Sequence, residues 1–234
     1  MTTNYLFDVD GTLTSHRKKI DSGFRKMFGR WAEEQNNIGN KVFLVTGSDK
    51  KKTIQQIGIA LWRSLNGCYQ NCGNQLYRRG RLIKQSSWKM NVELRLLVLN
   101  MIEKSFWYGV ADTNINERVG MVNISTIGRD CTDKQRKEYY NWDKHSLERE
   151  SIARTIRLAY PELDAAIGGQ ISIDVYPKGK DKAQVLDDME GETIFFGDTC
   201  EIGGNDYPIA KKADFYYNVA SPEETRHLLE TVGK

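Results

Sequence analysis

Two carboxylates, Asp8 and Asp10, stand two residues apart directly after the apolar run Tyr5-Leu6-Phe7, and the chain then turns through Gly11 and Thr12. A short apolar run closed by Asp and Gly reads as a buried strand entering a turn. Strand periodicity places residues i and i+2 on the same side. Carboxylates this close repel, which predicts a cation with oxygen ligands, and Mg²⁺ suits such a set. With the repulsion screened, Asp8 can attack a phosphorus atom. Asp10 can protonate the leaving oxygen and later deprotonate an acceptor hydroxyl. A bare Asp-x-Asp pair is commonly no more than an acidic turn, but three further elements follow in order. Thr46 (or Ser48), after the apolar run Val42-Phe43-Leu44-Val45, offers a hydroxyl to a phosphate oxygen. Lys182 opens a later helical stretch, where its ammonium can neutralise developing charge. Asp198 closes the run Thr193-Ile194-Phe195-Phe196-Gly197, and Asp206 follows in Gly203-Gly204-Asn205-Asp206. Asp8, Asp10, Asp198 and Asp206 are therefore the expected metal ligands. Groups at the carboxyl ends of successive strands sit where open α/β sheets bind ligands.

The elements that must position these groups alternate along the chain. Helical patterning over 22–35 follows the first strand; after the second, Asp49 is an expected helix N-cap for a stretch reaching about Arg63. Strand, helix, strand, helix predicts a parallel α/β sheet. Arg79-Gly80 between two short apolar runs predicts a β-hairpin. From about residue 85 the character changes, with a long helix near 91–108, an alternating strand at Val119 to Ile127, a polar helix over much of 133–159 and an alternating strand at Ile171 to Val175. Alternation with one polar face suggests an antiparallel sheet. The α/β signature then resumes with a helix at Asp181 to Met189, the Thr193–Phe196 strand, a strand at Phe215 to Val219 and a helix begun by Pro222. The expected fold is thus a Rossmann-like parallel-sheet core, residues 1–84 and 181–234, interrupted by an inserted α+β cap, residues 85–180.

Bulk properties narrow the function classes. The 234 residues are 39% hydrophobic with five Trp, which excludes a largely disordered chain. Thirty-four basic against 31 acidic residues leave a net charge of +3, too little for a nucleic-acid footprint, and Lys50-Lys51-Lys52 reads as a solvated helix face. No apolar run approaches the roughly 20 residues of a membrane span, and no leader pattern is read before Asp8. Four cysteines without C-x-x-C spacing read as reduced thiols. A soluble, cytoplasmic protein without nucleic-acid or membrane partners is expected.

The ordered set from Asp8 to Asp206 resembles the motif pattern of the haloacid dehalogenase superfamily. Within it, three further stretches are similar to eukaryotic-type phosphomannomutases: Thr12-Leu13-Thr14-Ser15-His16-Arg17-Lys18-Lys19-Ile20, the string from Gly120 to Arg129, and the string from Gly168 to Pro177. The resemblance implies a cap that holds the sugar and its distal phosphate. It makes Arg17, Arg118, Arg129 and Arg136 phosphate ligands and puts Ser172 and Asp174 on the sugar side. Guanidinium forks suit phosphate oxygens. It further implies Mg²⁺ as cofactor, a hexose phosphate substrate, a hexose bisphosphate activator and a homodimer paired through the cap. The apolar run Leu96-Leu97-Val98-Leu99 with Met101-Ile102, too broad for one buried stripe, agrees with such a dimer. Three segments depart from the family pattern: Thr46 stands where Gly is usual, Cys72-Gly73-Asn74 replaces Glu-Asn-Gly, and Ala210–Asp214 is shortened. They leave two enzymatic readings open, a hexose-phosphate mutase and a sugar-phosphate phosphatase. A silent sugar-phosphate-binding protein is the third reading, and one that has no need of Asp8, Asp10, Lys182 and Asp198 together.

Overall fold

A computed structural model describes residues 2–107 and 114–231. In chain order, the elements are β1 (Thr3–Phe7), α1 (Ser22–Asn37), β2 (Lys41–Val45), α2 (Lys50–Ile57), α3 (Ile59–Ser64), β3 (Gly67–Gln70), β4 (Gln75–Arg78) and β5 (Arg81–Gln85). There follow α4 (Val92–Glu103), β6 (Ile115–Arg118), β7 (Met121–Ile124), α5 (Asp133–Ser146), α6 (Glu148–Ala159), β8 (Leu163–Gly168) and β9 (Ser172–Pro177). A 3₁₀ segment at Lys182–Asp188, β10 (Glu192–Gly197), α7 (Tyr207–Lys212), β11 (Phe215–Asn218) and α8 (Pro222–Leu229) complete the chain. Two compact units emerge, Met1–Gln85 with Lys180–Lys234, and Ser86–Gly179.

The first unit is built on a seven-stranded sheet in the order β11-β10-β1-β2-β3-β4-β5. The first five strands run parallel, and β4 and β5 add an antiparallel edge. Alternate residues of the central strands face opposite layers, as the pleat requires. Phe7, Leu44 and Phe196 pack with Phe28 and Trp31 of α1, whereas Leu6, Phe43, Val45 and Phe195 pack with Val185 and Ile209. With both faces covered, the strands read as continuous apolar runs rather than alternating ones. Helix α1 starts where the Asp21 carboxylate accepts from the Phe24 amide at 2.9 Å, and it buries Phe24, Phe28, Trp31, Ala32 and Gln35 along one stripe.

The second unit is an antiparallel sheet in the order β6-β7-β9-β8. One face packs Val122, Ile124, Ile173 and Val175 against Leu94, Val98 and Ile102 of α4 and Ile152, Ala153 and Ile156 of α6. A buried ion pair fixes the α5–α6 corner, with Arg149 Nε 2.7 Å from Asp143 Oδ2 and the Arg149 amide donating to Asp143 Oδ1 at 2.9 Å.

Several sequence expectations need correction. The helix expected from Asp49 to Arg63 breaks at Gly58, whose φ of 86° lies where a side chain is strained. The strand expected at Val119–Ile127 is half of the β6–β7 hairpin, which turns at Val119-Gly120. The polar helix over 133–159 divides at Leu147, which adopts φ 55°. The helix expected at Asp181–Met189 is the 3₁₀ segment, capped by Asp181. Strand β8 was not anticipated, because Leu163-Asp164-Ala165-Ala166-Ile167-Gly168 carries no β-branched or aromatic run. The helix expected near 91–108 is α4, and residue 108 lies outside the described residues.

Candidate active site

The parallel order brings the ends of β1, β2 and β10 side by side. The Asp8 amide continues the β1–β10 ladder by donating to the Phe196 carbonyl at 2.9 Å, so the carboxylate emerges where the sheet ends. The chain then folds back, with Leu13 and Thr14 amides donating to the Val9 carbonyl at 3.0 and 2.9 Å. Gly11, at φ 92°, passes so close to Asp198 that a Cβ there would lie 2.1 Å from Asp198 Oδ2. No other residue type fits between the two acidic strand ends.

Asp8 is 4% exposed, Lys182 1% and Asp206 0%. The Lys182 ammonium bridges them, 2.6 Å from Asp8 Oδ1 and 2.5 Å from Asp206 Oδ1. Asp206 is held in turn by the Thr199 amide at 3.3 Å and hydroxyl at 3.1 Å. Asp8, Asp198 and Asp206 each offer a carboxylate oxygen within 4.8 Å of the others. Ionised, the three carry −3, which Lys182 reduces to −2, the charge that one divalent cation would neutralise. Their all-oxygen donor set suits a hard cation. His16 Nε2 lies 3.4 Å from Asp198 Oδ2.

These environments set the protonation balance. Burial raises the Asp8 carboxyl well above the ordinary range, Asp206 and Asp198 push the same way, and Lys182 opposes them. Burial and the Asp206 charge push Asp198 up to about 6. Burial alone would lower Lys182, but the charges of Asp206 and Asp8 outweigh it and keep the ammonium protonated. Asp10 goes the other way. Burial would raise it, yet hydrogen bonds from Lys52, the Arg17 amide and Gln56 bring it below the ordinary value.

Asp10 is not part of the acidic group. It was expected among the metal ligands, but its Oδ2 is 2.5 Å from Lys52 Nζ, and its Oδ1 accepts from Gln56 Nε2 and the Arg17 amide, each at 2.8 Å. The carboxylate thus meets its positive charge at Lys52 of helix α2. Thr46 follows β2, adjacent to Asp8 in the sheet, and its buried hydroxyl accepts from the Ser48 amide at 3.1 Å. Lys52, Gln56 and His16 were missed by sequence reasoning. The signal was available for two of them: Lys52 lies in the first turn after the Asp49 cap, beside the strand end, and Gln56 follows it at i+4 on the same face.

In the second unit, strand register puts three of the predicted substrate residues on one sheet face, and a hydrogen bond brings a fourth to it. Asn116 pairs with Asn123, and Asn123 with Asp174, so these point to the sheet face opposite the apolar core. Arg118 and Ser172 lie on the same face two residues to either side of this row, toward opposite ends of the strands, and Arg118 Nε donates to Asn116 Oδ1 at 3.3 Å. Arg129 donates to Asn123 Oδ1, and Asn123 Nδ2 donates to Asp174 Oδ1 at 2.6 Å. Arg136 stands apart on α5, with its guanidinium 3.7 Å from Cys131 Sγ. Arg17 belongs to the first unit, in the exposed loop after β1, at φ 62°.

The profile of the eukaryotic phosphomannomutase family matches residues 33–234. Curated relatives include a phosphomannomutase of Nicotiana benthamiana, 35% identical, covering 94% of this chain and 90% of the relative. One from Saccharomyces cerevisiae is 32% identical, covering 97% and 92%. The chain belongs to the eukaryotic phosphomannomutase family. Solved structures agree on the fold. A haloacid dehalogenase-like hydrolase from Bacteroides thetaiotaomicron matches with a TM-score of 0.62 at 14% identity, covering 99% of this chain and 100% of that one. A HAD subclass IIB sugar phosphatase matches with 0.61 at 16%, covering 99% of each. The relatives named as phosphomannomutases thus match this chain over nearly their whole length, and the family match spans the stretch that carries Lys182, Asp198 and Asp206.

Proposed function

We propose that this protein is a hexose-phosphate mutase, most like a phosphomannomutase, interconverting mannose-6-phosphate and mannose-1-phosphate through a phosphorylated Asp8. The observation that carries the reading is the buried Asp8–Lys182–Asp206 array at the end of β1. Two buried carboxylates sharing one ammonium have little structural value, since an apolar replacement would be as stable. Lys182 occupies Asp8 Oδ1 and leaves Oδ2 to attack phosphorus. The ammonium keeps its charge beside the transferring group, where it acts without reorganisation. Asp10 gives a proton to the departing sugar oxygen and later takes one from the acceptor hydroxyl. Thr46 and Ser48 offer hydroxyls to the phosphoryl oxygens. Asp8, Asp198 and Asp206 would hold Mg²⁺, which when bound supplies charge neutralisation to nucleophile and phosphoryl group.

Arg118, Arg129, Ser172 and Asp174 are proposed ligands of the sugar and its distal phosphate, with Arg17 and Arg136 as further phosphate ligands. Their gathering on one polar sheet face supports this for the first four. A hexose bisphosphate would charge Asp8 at the start of the cycle. A homodimer through the cap is supported by α4, where Val92, Leu96 and Leu99 are exposed while Leu94, Val98 and Ile102 face the core. No helix of the described residues is long and apolar enough to cross a membrane, and four free thiols support a reducing, cytoplasmic setting.

The decisive experiment incubates the protein and Mg²⁺ with mannose-1-phosphate, with and without a hexose bisphosphate, and follows isomer and free phosphate together. Isomer that depends on the bisphosphate is the expected result. Rapid phosphate release with no isomer would make the protein a sugar-phosphate phosphatase, the reading that Thr46 in place of the family's Gly favours.

A further inference from the structure

A general base needs an oxygen with a free lone pair, and Asp10 has none. A carboxylate offers about four acceptor positions. At Asp10, Oδ1 accepts from the Arg17 amide and from Gln56 Nε2, both at 2.8 Å, and Oδ2 from Lys52 Nζ at 2.5 Å and Ser48 Oγ at 3.4 Å. Three of these donors are fixed. The first is main chain. Gln56 is buried and also donates to Thr14 Oγ1 at 3.1 Å. Ser48 is buried too, and because Lys52 donates to its oxygen at 3.0 Å, its own proton is left to point at Asp10. Lys52 is the exception: its side chain is 39% exposed, sits on a flexible stem and carries a charge that another anion can claim. If Lys52 leaves, the position that its ammonium fills on Oδ2 opens.

We propose that Lys52 is a positioning residue that latches Asp10 until a sugar phosphate offers a competing anion, so that the phosphoryl group passes to a sugar hydroxyl and not to water. The proposal rests on the reading of Asp8 and Asp10 given above and adds a cause for the choice of acceptor. In hydrolysis, the water oxygen forms a bond to phosphorus, and the bond from phosphorus to Asp8 breaks with its electron pair returning to the carboxylate. The water proton passes to Asp10 Oδ2, and inorganic phosphate departs. The step is hindered while the Lys52 ammonium sits on that oxygen. A hexose monophosphate brings a dianion that draws Lys52 away. The sugar hydroxyl then takes the place of water, its proton goes to Asp10, and the same bonds form and break.

The test measures how long the phosphorylated protein survives without an acceptor. Wild type, Lys52→Met, Lys52→Gln and Lys52→Arg are labelled from a radioactive hexose bisphosphate in Mg²⁺, desalted rapidly and sampled for protein-bound label. Both neutral variants should lose label to water at least about tenfold faster than wild type, within the roughly 10²–10⁴-fold that general-base catalysis can contribute. Their KM for hexose monophosphate should rise, because the ammonium that meets the substrate is gone. Lys52→Arg retains the charge and should stay close to wild type on both measures. A merely structural Lys52 would lower label uptake and melting temperature without accelerating decay. Loss of label at or below the wild-type rate in both neutral variants overturns the latch, as does equal acceleration in Lys52→Arg. Wild type that takes up no label would instead refute the phosphorylated Asp8 itself.

Discussion

Replacing Lys182 with Met should destabilise the protein in a way that depends on pH and on divalent cation. The ammonium is 1% exposed and lies 2.6 and 2.5 Å from two carboxylates that are themselves 4% and 0% exposed. Met fills much of the same volume, so packing changes little and the lost charge dominates. Breaking a buried pair by removing one partner costs about 3–5 kcal/mol. For a chain of this size each kcal/mol moves the midpoint by about 2–4 °C, which predicts a fall of roughly 6–20 °C in Tm at pH 8 with chelator present. The sign of the pH effect follows from Asp8. Its carboxyl is already raised by burial, and without Lys182 nothing within the array opposes that. A folded state that holds its proton more tightly than the unfolded chain loses stability as pH rises. The deficit should therefore shrink on going from pH 8 to pH 5, and it should also narrow when Mg²⁺ supplies the missing charge. Thermal melts by circular dichroism at both pH values, with and without Mg²⁺, provide the four comparisons. A variant within about 2 °C of wild type under all of them would mean that the array carries no buried charge, and the account of the site would fail with it.

Other expectations concern single atoms. Asp8→Asn should abolish turnover while preserving the fold, because the amide is nearly isosteric and a poor nucleophile; steady-state activity above a few per cent would contradict it. Asp10→Asn should slow turnover by about 10²–10⁴-fold, and rapid-quench phosphoenzyme kinetics identical to wild type would remove it from the chemistry. Arg129→Ala should cost about 1.5–3 kcal/mol on hexose phosphates, the worth of a charged hydrogen bond, and almost nothing on a small aryl phosphate. Equal losses on the two substrates would make Arg129 a support of the Asn123–Asp174 chain alone. Light scattering at micromolar concentration should give a dimer mass for wild type and a monomer mass for Leu96→Asp, whose side chain is exposed on α4.

Much of the first unit was legible because its signals are local. An apolar run that ends in Asp-x-Asp-Gly, a second that ends before Asp49 and a third that ends in Gly-Asp needed no tertiary knowledge to be read as parallel strands. The two helices that the pattern ran together each contain a residue whose backbone leaves the regular region. Gly58 at φ 86° divides what the pattern joins, and Leu147 at φ 55° does so against its own propensity because the buried Asp143–Arg149 pair holds the corner. A leucine in that conformation has no signature in sequence. Likewise β8 is a strand because it lies beside β9 over six paired positions, not because Ala165 and Ala166 favour one.

The site was legible to the extent that its groups sit at strand ends, and it became obscure wherever a helix supplies the partner. Asp8, Asp198 and Asp206 converge because β1 and β10 are neighbours in the sheet, which the motif order already implied. Asp10 has the same spacing signal as Asp8, yet it turns to Lys52 and Gln56, which lie 42 and 46 residues away in sequence. Two carboxylates at i and i+2 ask for positive charge, and the sequence cannot say whether each receives it from a metal or from a side chain. Lys50-Lys51-Lys52 looked uniform for the same reason. Lys50 covers the Trp62 and Tyr77 rings, whereas Lys52 reaches the Asp10 carboxylate. Three identical residues in one helical turn point about 100° apart, so the run had to divide its roles, and only the position of β2 relative to β1 decides which lysine faces the chemistry.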